Sequence, residues 1–472
     1  MIDFCYRLTF FTFLAFFLFT FFLTFVSEMK KIVFLSILWA LALVSPTYGQ
    51  DTLRNPQDST LRSALPLRSA KNPPLGSAAL PSKELSNLID SLIATSPLLD
   101  VSEVGIMVYD LTADSTLYTY HHRHTLRPAS NMKLVTAITA LDRLGGSYRF
   151  RTSIAYTGSI NQASLVGDLY CVGGMDPRFE KEDLNIFIEQ IKSIGIDTIR
   201  GRIIADKSMK DADLLGWGWC WDDDNPVLSP LLISRKDNFT EAFVAALRKA
   251  GIFVDVTMAE GKQPAQATIL CASYHTIDQI LVPMMKDSDN LYAEALFYQI
   301  GAAAGGRPAT MKKARSAVHQ LIERVGLKPE NYNIADGSGL SLYNYLSPEL
   351  EVALLRYAWN NEAIRPHLLF SLPIAGQDGT LSKRMRNTVA EGNVHAKTGT
   401  LKGVTTLAGY CTAPNGHMLC FSIMNQGVMQ LSRGRDFQDQ LCVLLCTPPV
   451  NEEDSVTVEE GVTVEEGVMI EQ

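Results

Sequence analysis

Three short segments of this 472-residue chain carry complementary chemistry and lie far apart: Ser130-Asn131-Met132-Lys133, Ser288-Asp289-Asn290 and Lys397-Thr398-Gly399. Two hydroxyls, two ammonium groups and a carboxamide act together only where the fold brings the segments to one pocket. That requirement constrains the architecture more than local propensity does. Each segment needs a rigid element to fix its side chains. The stretch between the first two is as long as many whole domains and has to be built around the pocket.

Each segment alone is a weak signal. Ser and Lys at i and i+3 of a helix share a face, so Lys133 reaches the hydroxyl of Ser130. A serine hydroxyl attacks poorly until a base takes its proton. Lysine is a base only where burial or nearby positive charge disfavours its ammonium, and Lys397 is the expected source of that charge. The resulting oxyanion needs donors. The N–H of Ser130, at the positive end of a helix, is one; that of Thr400 is the other. Pro128-Ala129 suits a helix start. Against this, S-x-x-K recurs by chance in chains of this length.

Ser288-Asp289-Asn290 also reads as an ordinary N-cap. In the functional reading Ser288 bridges Lys133 and Lys397 and hands a proton to the leaving amine, while Asn290 binds a substrate amide. Lys397-Thr398-Gly399-Thr400 also reads as a surface turn. In the functional reading it is a strand on which Lys397 and Thr398 hold a free carboxylate and Gly399 leaves room for a substrate backbone. Three such segments in this order, each in the required secondary structure, favour the functional reading.

The pattern along the chain predicts the supporting elements. Leu85, Leu88, Ile89 and Leu92 fall at helical spacing. A hairpin is expected over 104–120, then a helix carrying Ser130 and Lys133 to Leu144, stopped by Gly145-Gly146. From 149 the texture changes. Strands are expected at 151–156, 165–172, 198–205, 254–258 and 268–271, with helices at 184–194 and 240–249 between them. This points to a mixed α/β domain inserted at 149–273. Helices return over 277–300, 310–325 and 348–357. The body closes with strands at 394–400, 405–412 and 418–425 and a helix at 433–446. The parts at 83–148 and 274–446 together form one α/β (α+β) domain, an antiparallel sheet flanked by helices.

The termini differ from the body. Residues 8–26 are almost entirely Phe, Leu and Thr. A second block starts at Met29-Lys30-Lys31, turns apolar to about Val44 and exits through Ser45-Pro46-Thr47-Tyr48-Gly49. That is the layout of a secretory signal, with translation starting at Met29; the alternative is a membrane anchor at 8–26. Residues 50–82 read as a linker. Residues 447–472 hold eight Asp and Glu and no Lys or Arg, which equals the whole net charge of −8. The acidic tail repeats Val-Thr-Val-Glu-Glu-Gly and is expected to be disordered. A neutral body argues against a nucleic-acid partner. The seven Cys after Cys5 form no C-x-x-C pair, so neither a zinc nor a redox site is expected. Cys411 and Cys420 flank a turn, which leaves a disulfide open beside buried thiols. His121, His122 and His124 are not read as a metal site.

The chain resembles the class C penicillin-binding proteins, the D-alanyl-D-alanine carboxypeptidase/endopeptidase family, over about 83–446. The likeness rests on Arg127-Pro128-Ala129-Ser130-Asn131-Met132-Lys133, Gly167-Asp168-Leu169-Tyr170, Trp219-x-Trp221-Asp222-Asp223, Asp336-Gly337-Ser338-Gly339-Leu340-Ser341, Gly376-x-Asp378-Gly379-Thr380-Leu381 and Lys397 to Leu401. It implies a β-lactamase/transpeptidase-like domain interrupted by an insertion. It further implies hydrolysis of peptidoglycan stem peptides through an acyl-enzyme on Ser130, reaction with β-lactam antibiotics, no cofactor or metal, and an exported protein of the periplasm or cell envelope. Two alternatives stand beside it. A serine β-lactamase needs a further glutamate for deacylation, and the pattern that would supply it has Lys181 in its place. A wall-binding protein without catalysis is disfavoured by Ser130, Lys133 and Ser288 standing together.

Overall fold

The computed structural model describes residues 82–221 and 225–448. The expected signal, the N-terminal extension, the linker up to residue 81, the tail beyond 448 and Asp222, Asp223 and Asp224 lie outside the described residues. Among the described residues no helix is long and apolar enough to cross a membrane.

Helix α1 (Ser82–Thr95) turns Leu85 and Ile89 inward. Strands β1 (Glu103–Asp110) and β2 (Ser115–Tyr120) form the expected hairpin. A single 3-10 turn, Ala129–Asn131, leads into α2 (Met132–Leu144), so Ser130 stands just before the helix rather than within it. Gly145 ends α2 at φ +78°, where a side chain would be strained. Next come β3 (Arg149–Tyr156), β4 (Ser159–Asn161), β5 (Ser164–Val172), α3 (Leu184–Ser193), β6 (Thr198–Asp206), α4 (Phe239–Lys249), β7 (Phe253–Glu260) and β8 (Thr268–Thr276).

The run expected as one helix over 277–300 is two. It divides into α5 (Ile277–Lys286) and α6 (Asn290–Gly305). The break is local chemistry: the Asp289 carboxylate caps the free N–H groups of Leu291 and Tyr292, and Ser288 lies at φ +60°. The chain continues through α7 (Met311–Arg324), α8 (Pro348–Trp359), α9 (Arg365–Ser371), β9 (His395–Leu401), β10 (Val404–Thr412), β11 (Met418–Gln426) and α10 (Leu431–Cys446).

The first sheet runs β2-β1-β11-β10-β9 and is antiparallel throughout. Both of its faces are covered, which is why β10 and β11 are buried along nearly their whole length rather than at alternate positions. One face carries Tyr109, Ala408, Tyr410 and Cys420 and packs on α2, α6 and α8. The other carries Val108, Leu407, Leu419, Phe421 and Ile423 and packs on α1 and α10. This alternation decides the disulfide question. Tyr410 pairs with Cys420 and Cys411 with Leu419. Adjacent residues on a strand face opposite ways, so Cys411 and Cys420 enter different cores and stay unbridged.

The second sheet is drawn wholly from residues 149–276. Its order is β7-β6-β5-β3-β8, with β4 on β5. Strands β5, β6 and β7 are parallel and the other pairs antiparallel. Parallel neighbours need crossovers, and α3 and α4 supply them. Both helices cover one face over a cluster that includes Phe179, Phe187, Phe239 and Phe243.

Phe243 is fully buried with its ring against Phe187 and Phe239. Truncation to Ala is expected to cost about 3–5 kcal/mol. The check is a lower urea midpoint for unfolding of this region, with penicillin labelling of the native protein below that midpoint unchanged.

Candidate active site

The three segments converge. Edge strand β9 lies directly against the Ser130 turn. A Cβ on Gly399 would fall 2.1 Å from Thr406 Oγ1 and 2.6 Å from the Pro128 carbonyl oxygen. Thr406 Oγ1 donates to that same oxygen at 2.8 Å. Gly399 therefore clears space for the Ser130 turn. On the far side, a Cβ on Gly339 would lie 1.8 Å from the Ala129 carbonyl oxygen. The turn is gripped from two directions, and Ala129 is held at φ +48°. A non-glycine residue in that region carries strain of roughly 1–3 kcal/mol and persists only where its surroundings overdetermine it.

Lys133 is fully buried. Its Nζ donates to Ser130 Oγ at 3.1 Å, Asn290 Oδ1 at 2.7 Å and the Ser338 carbonyl at 2.8 Å. Burial pushes its pKa down to about 8, against the opposing charges of Asp336, Glu294 and Asp289. Lys397, equally buried, donates to Ser288 Oγ at 3.0 Å and to the Thr398 carbonyl at 2.6 Å. It is pushed well below the usual lysine range, first by burial and then by Lys133. The repulsion between the two ammonium groups thus falls on Lys397, because three carboxylates favour charge on Lys133.

Ser288 Oγ accepts from Lys397. Among the described residues, Lys133 bonds Asn290 where the sequence suggested Ser288. Asn290 is accordingly part of the lysine's own shell. Thr398 donates its hydroxyl to Thr380 Oγ1 at 2.8 Å. Thr400 is exposed at the edge of the first sheet, where one side of β9 is unpaired by any strand.

Several residues at the site were not singled out from sequence. The Asp336-to-Ser341 segment enters there only as part of the family likeness, yet its Ser338 carbonyl holds Lys133. Glu294 fixes that carbonyl by accepting the N–H of Gly337 at 3.1 Å and of Ser338 at 2.8 Å. It stands four residues after Asn290, one turn along the same helix face, and that spacing was the available signal. Burial, then the charge of Asp336, raises the Glu294 pKa to about 8. Asp336 accepts from Trp219 Nε1, the N–H groups of Gly339 and Ser341, and Asn344 Nδ2, all between 2.7 and 2.8 Å. Glu351 on α8 accepts from Asn131 Nδ2 at 3.1 Å and Ser422 Oγ at 2.8 Å, tying the Ser130 turn to β11.

Glu103, His121 and His124 sit together on the surface. The two imidazoles are stacked with 7° between their planes, and His124 Nδ1 is engaged by Glu103 at 2.8 Å. Parallel stacked rings do not aim their nitrogens at a common ion.

The comparisons with known proteins agree with this geometry. A family profile described as the D-Ala-D-Ala carboxypeptidase 3 (S13) family matches residues 85–234 and 233–447. The D-alanyl-D-alanine carboxypeptidase of Actinomadura sp. (strain R39) is 30% identical over 441 residues, spanning 73% of this chain and 81% of that protein. The D-alanyl-D-alanine carboxypeptidase DacB of Haemophilus influenzae is 26% identical over 412 residues, spanning 69% and 86%. The crystal structure of penicillin binding protein 4 (dacB) from Haemophilus influenzae superposes with a TM-score of 0.68 at 25% identity, covering 75% of this chain and 99% of that one. Matched across nearly all of its described length, the chain belongs to the D-Ala-D-Ala carboxypeptidase 3 (S13) family.

Proposed function

We propose that this protein is a serine-type D-alanyl-D-alanine carboxypeptidase that also cleaves peptide cross-links as a DD-endopeptidase, acting on peptidoglycan stem peptides through an acyl-enzyme on Ser130. The observation that carries the reading is a buried Lys133 whose Nζ lies 3.1 Å from Ser130 Oγ with its pKa lowered to about 8. A lysine so placed is largely neutral just above that pH and takes the serine proton as the hydroxyl attacks.

The remaining roles follow from position. Ser130 Oγ attacks the carbonyl of the penultimate D-Ala. The N–H groups of Ser130 and Thr400 receive the oxyanion. Asn290, its carbonyl engaged by Lys133, turns its amide NH2 to the substrate backbone. Ser288, held by Lys397, delivers a proton to the departing amine, and the C–N bond breaks. Lys397 and Thr398, with the Thr380 hydroxyl beside them, receive the terminal carboxylate. Water then hydrolyses the acyl-enzyme and frees Ser130. None of these steps calls on a metal or cofactor.

The same nucleophile opens a β-lactam ring and keeps it, so β-lactam antibiotics are ligands of the site. Peptidoglycan lies outside the cytoplasm, which places the protein in the periplasm or cell envelope, exported by the signal beginning at Met29. Residues 149–273 act as a domain inserted in the catalytic one, between its parts at 83–148 and 274–446. In the β-lactamase alternative, penicillin would turn over rapidly.

Fluorescent penicillin is expected to label the protein durably, Ser130→Ala to abolish the label, and a D-Ala-D-Ala pentapeptide to release free D-Ala. Rapid loss of label would favour a β-lactamase, and no label at all would sink the hydrolase reading. Endopeptidase activity is read by mass spectrometry of cross-linked wall fragments.

The lysine assignment makes a pH statement. Lys133 acts as a base only when neutral, so the acylation rate should fall about tenfold per unit below a midpoint near pH 8. The Glu294 charge favours the Lys133 ammonium. Glu294→Gln removes it and should move the midpoint to lower pH. A midpoint that stays in place, or rises, would refute this account of Glu294.

A further inference from the structure

Asp289 lies between Ser288 and Asn290, and its carboxylate is used twice. Oδ1 accepts the N–H of Leu291 at 2.9 Å and of Tyr292 at 3.3 Å, capping α6. The same carboxylate takes both ends of the Arg235 guanidinium, with Nη1 to Oδ2 at 2.7 Å and Nη2 to Oδ1 at 3.2 Å. Arg235 comes from none of the elements that carry the site. It belongs to the stretch that builds the second sheet.

The segment bearing Arg235 is a tight turn rooted in the second core. Ile233 and Lys236 exchange backbone hydrogen bonds at 3.0 and 2.9 Å across it. Ile233 is buried with Phe179 and Phe239. Ser234 and Arg235 at the tip have φ of +45° and +66°. The Ser234 N–H donates to the Phe179 carbonyl at 2.9 Å, and its hydroxyl donates to Glu180. Two successive non-glycine residues in the left-handed region form a strained tip, held from behind and directed at Asp289.

We propose that Arg235 is a positioning residue of the reaction: through it the second-sheet region fixes Asp289, and with Asp289 the two neighbours Ser288 and Asn290. The inference rests on the acyl-enzyme reading given above. Its physical basis is the planar fork of the guanidinium, which sets the orientation of a carboxylate as well as its distance. Ser288 Oγ is bonded to Lys397 and Asn290 Oδ1 to Lys133. Rotation of the backbone at Asp289 therefore displaces the partners of both lysines. The Arg235 side chain is 51% exposed. Ion pairs of that exposure add little to stability, so the effect belongs in the rate.

The clamp also has an electrostatic side. Lys133 faces Asp336, Glu294 and Asp289, and it lowers Lys397. Asp289 has Arg235 and Tyr292 against it, with Arg178 and Asp176 near Tyr292 and Glu180 near Arg235. Arg235 offsets the Asp289 charge. Without it, Asp289 favours the Lys133 ammonium more strongly, and Lys133 stays protonated to higher pH.

The experiment measures acylation by fluorescent penicillin against pH for the full chain, with melting temperatures. Arg235→Ala is expected to slow acylation about tenfold or more at pH 7, to raise the pH midpoint, and to leave melting within a degree or two. Arg235→Lys restores the charge without the fork, so it should return the midpoint and leave most of the rate deficit. An Arg235→Ala protein with wild-type rate and midpoint overturns the clamp. So does a rate loss with an unmoved midpoint and a matching fall in melting temperature, the mark of a structural role alone. Failure of the wild-type chain to label sinks the acyl-enzyme reading and the clamp with it, which separates the two outcomes.

Discussion

Two lysines share one dry pocket, and most of the local structure exists to keep them there. Taking an ammonium out of water costs several kcal/mol unless acceptors and counter-charges compensate. Lys133 has three acceptors within 3.1 Å and three carboxylates in its field. Those carboxylates need compensation in turn. Glu294 is met by two backbone N–H groups and Asp336 by four donors. The loop from Asp336 to Asn344 is folded around these anions. The chemistry of the site and the shape of the loop beneath it therefore have one cause. The division of counter-charge between the lysines is unequal: three carboxylates favour charge on Lys133, while burial and then Lys133 lower Lys397.

The first sheet gives this pocket a fixed frame. With helices on both faces, β10 and β11 have no freedom to shift without moving two cores at once. Strand β9 is one of the two edges, and past Ala396, which bonds Pro373, no strand pairs its outer side among the described residues. An extended peptide adds to such an edge through main-chain hydrogen bonds. The nucleophile has to come to that edge rather than to the sheet centre. The contacts of Gly399 with Thr406 and Pro128 show how closely the Ser130 turn is pressed against it.

Legibility in the sequence followed the physics of each feature. Strand β11 announced itself as an apolar run bounded by turns, and β9 by the Lys397 motif it carries. The converging motifs were legible only in conjunction, because each alone has a common structural use. The interruption between α5 and α6 falls at Lys286-Asp287-Ser288-Asp289-Asn290, a polar stretch whose N-cap reading pointed to a helix start, a signal that the single helix expected over 277–300 passed over. The strand order of the second sheet depends on crossovers, which local patterns do not encode. Ser338 escaped notice because its contribution is a backbone carbonyl, which every residue has. Gly399 was read correctly as a need for space, but the group needing the space lies far away in sequence. Arg235 looked like any surface arginine, since its partner is distant and its turn is set by the core behind it.

The way the carboxylates are occupied bears on how the acyl-enzyme is resolved. Hydrolysis of the ester at Ser130 needs a base beside it to activate water. Glu294 is committed to the Gly337-Ser338 backbone, Asp336 to its four donors, and Glu351 to Asn131 and Ser422. Burial raises the pKa of Glu294 to about 8 and of Glu351 to about 7. In the proposed mechanism the base beside Ser130 Oγ remains Lys133, at 3.1 Å, so one lysine serves both halves of the reaction. A peptide substrate accommodates this economy, because its amine leaves and opens the space that water needs. A β-lactam does not, because its expelled nitrogen stays tethered to the acyl group and occupies that space. On this geometry a penicillin adduct is expected to persist, because among the described residues Glu294, Asp336 and Glu351 are all committed to other donors.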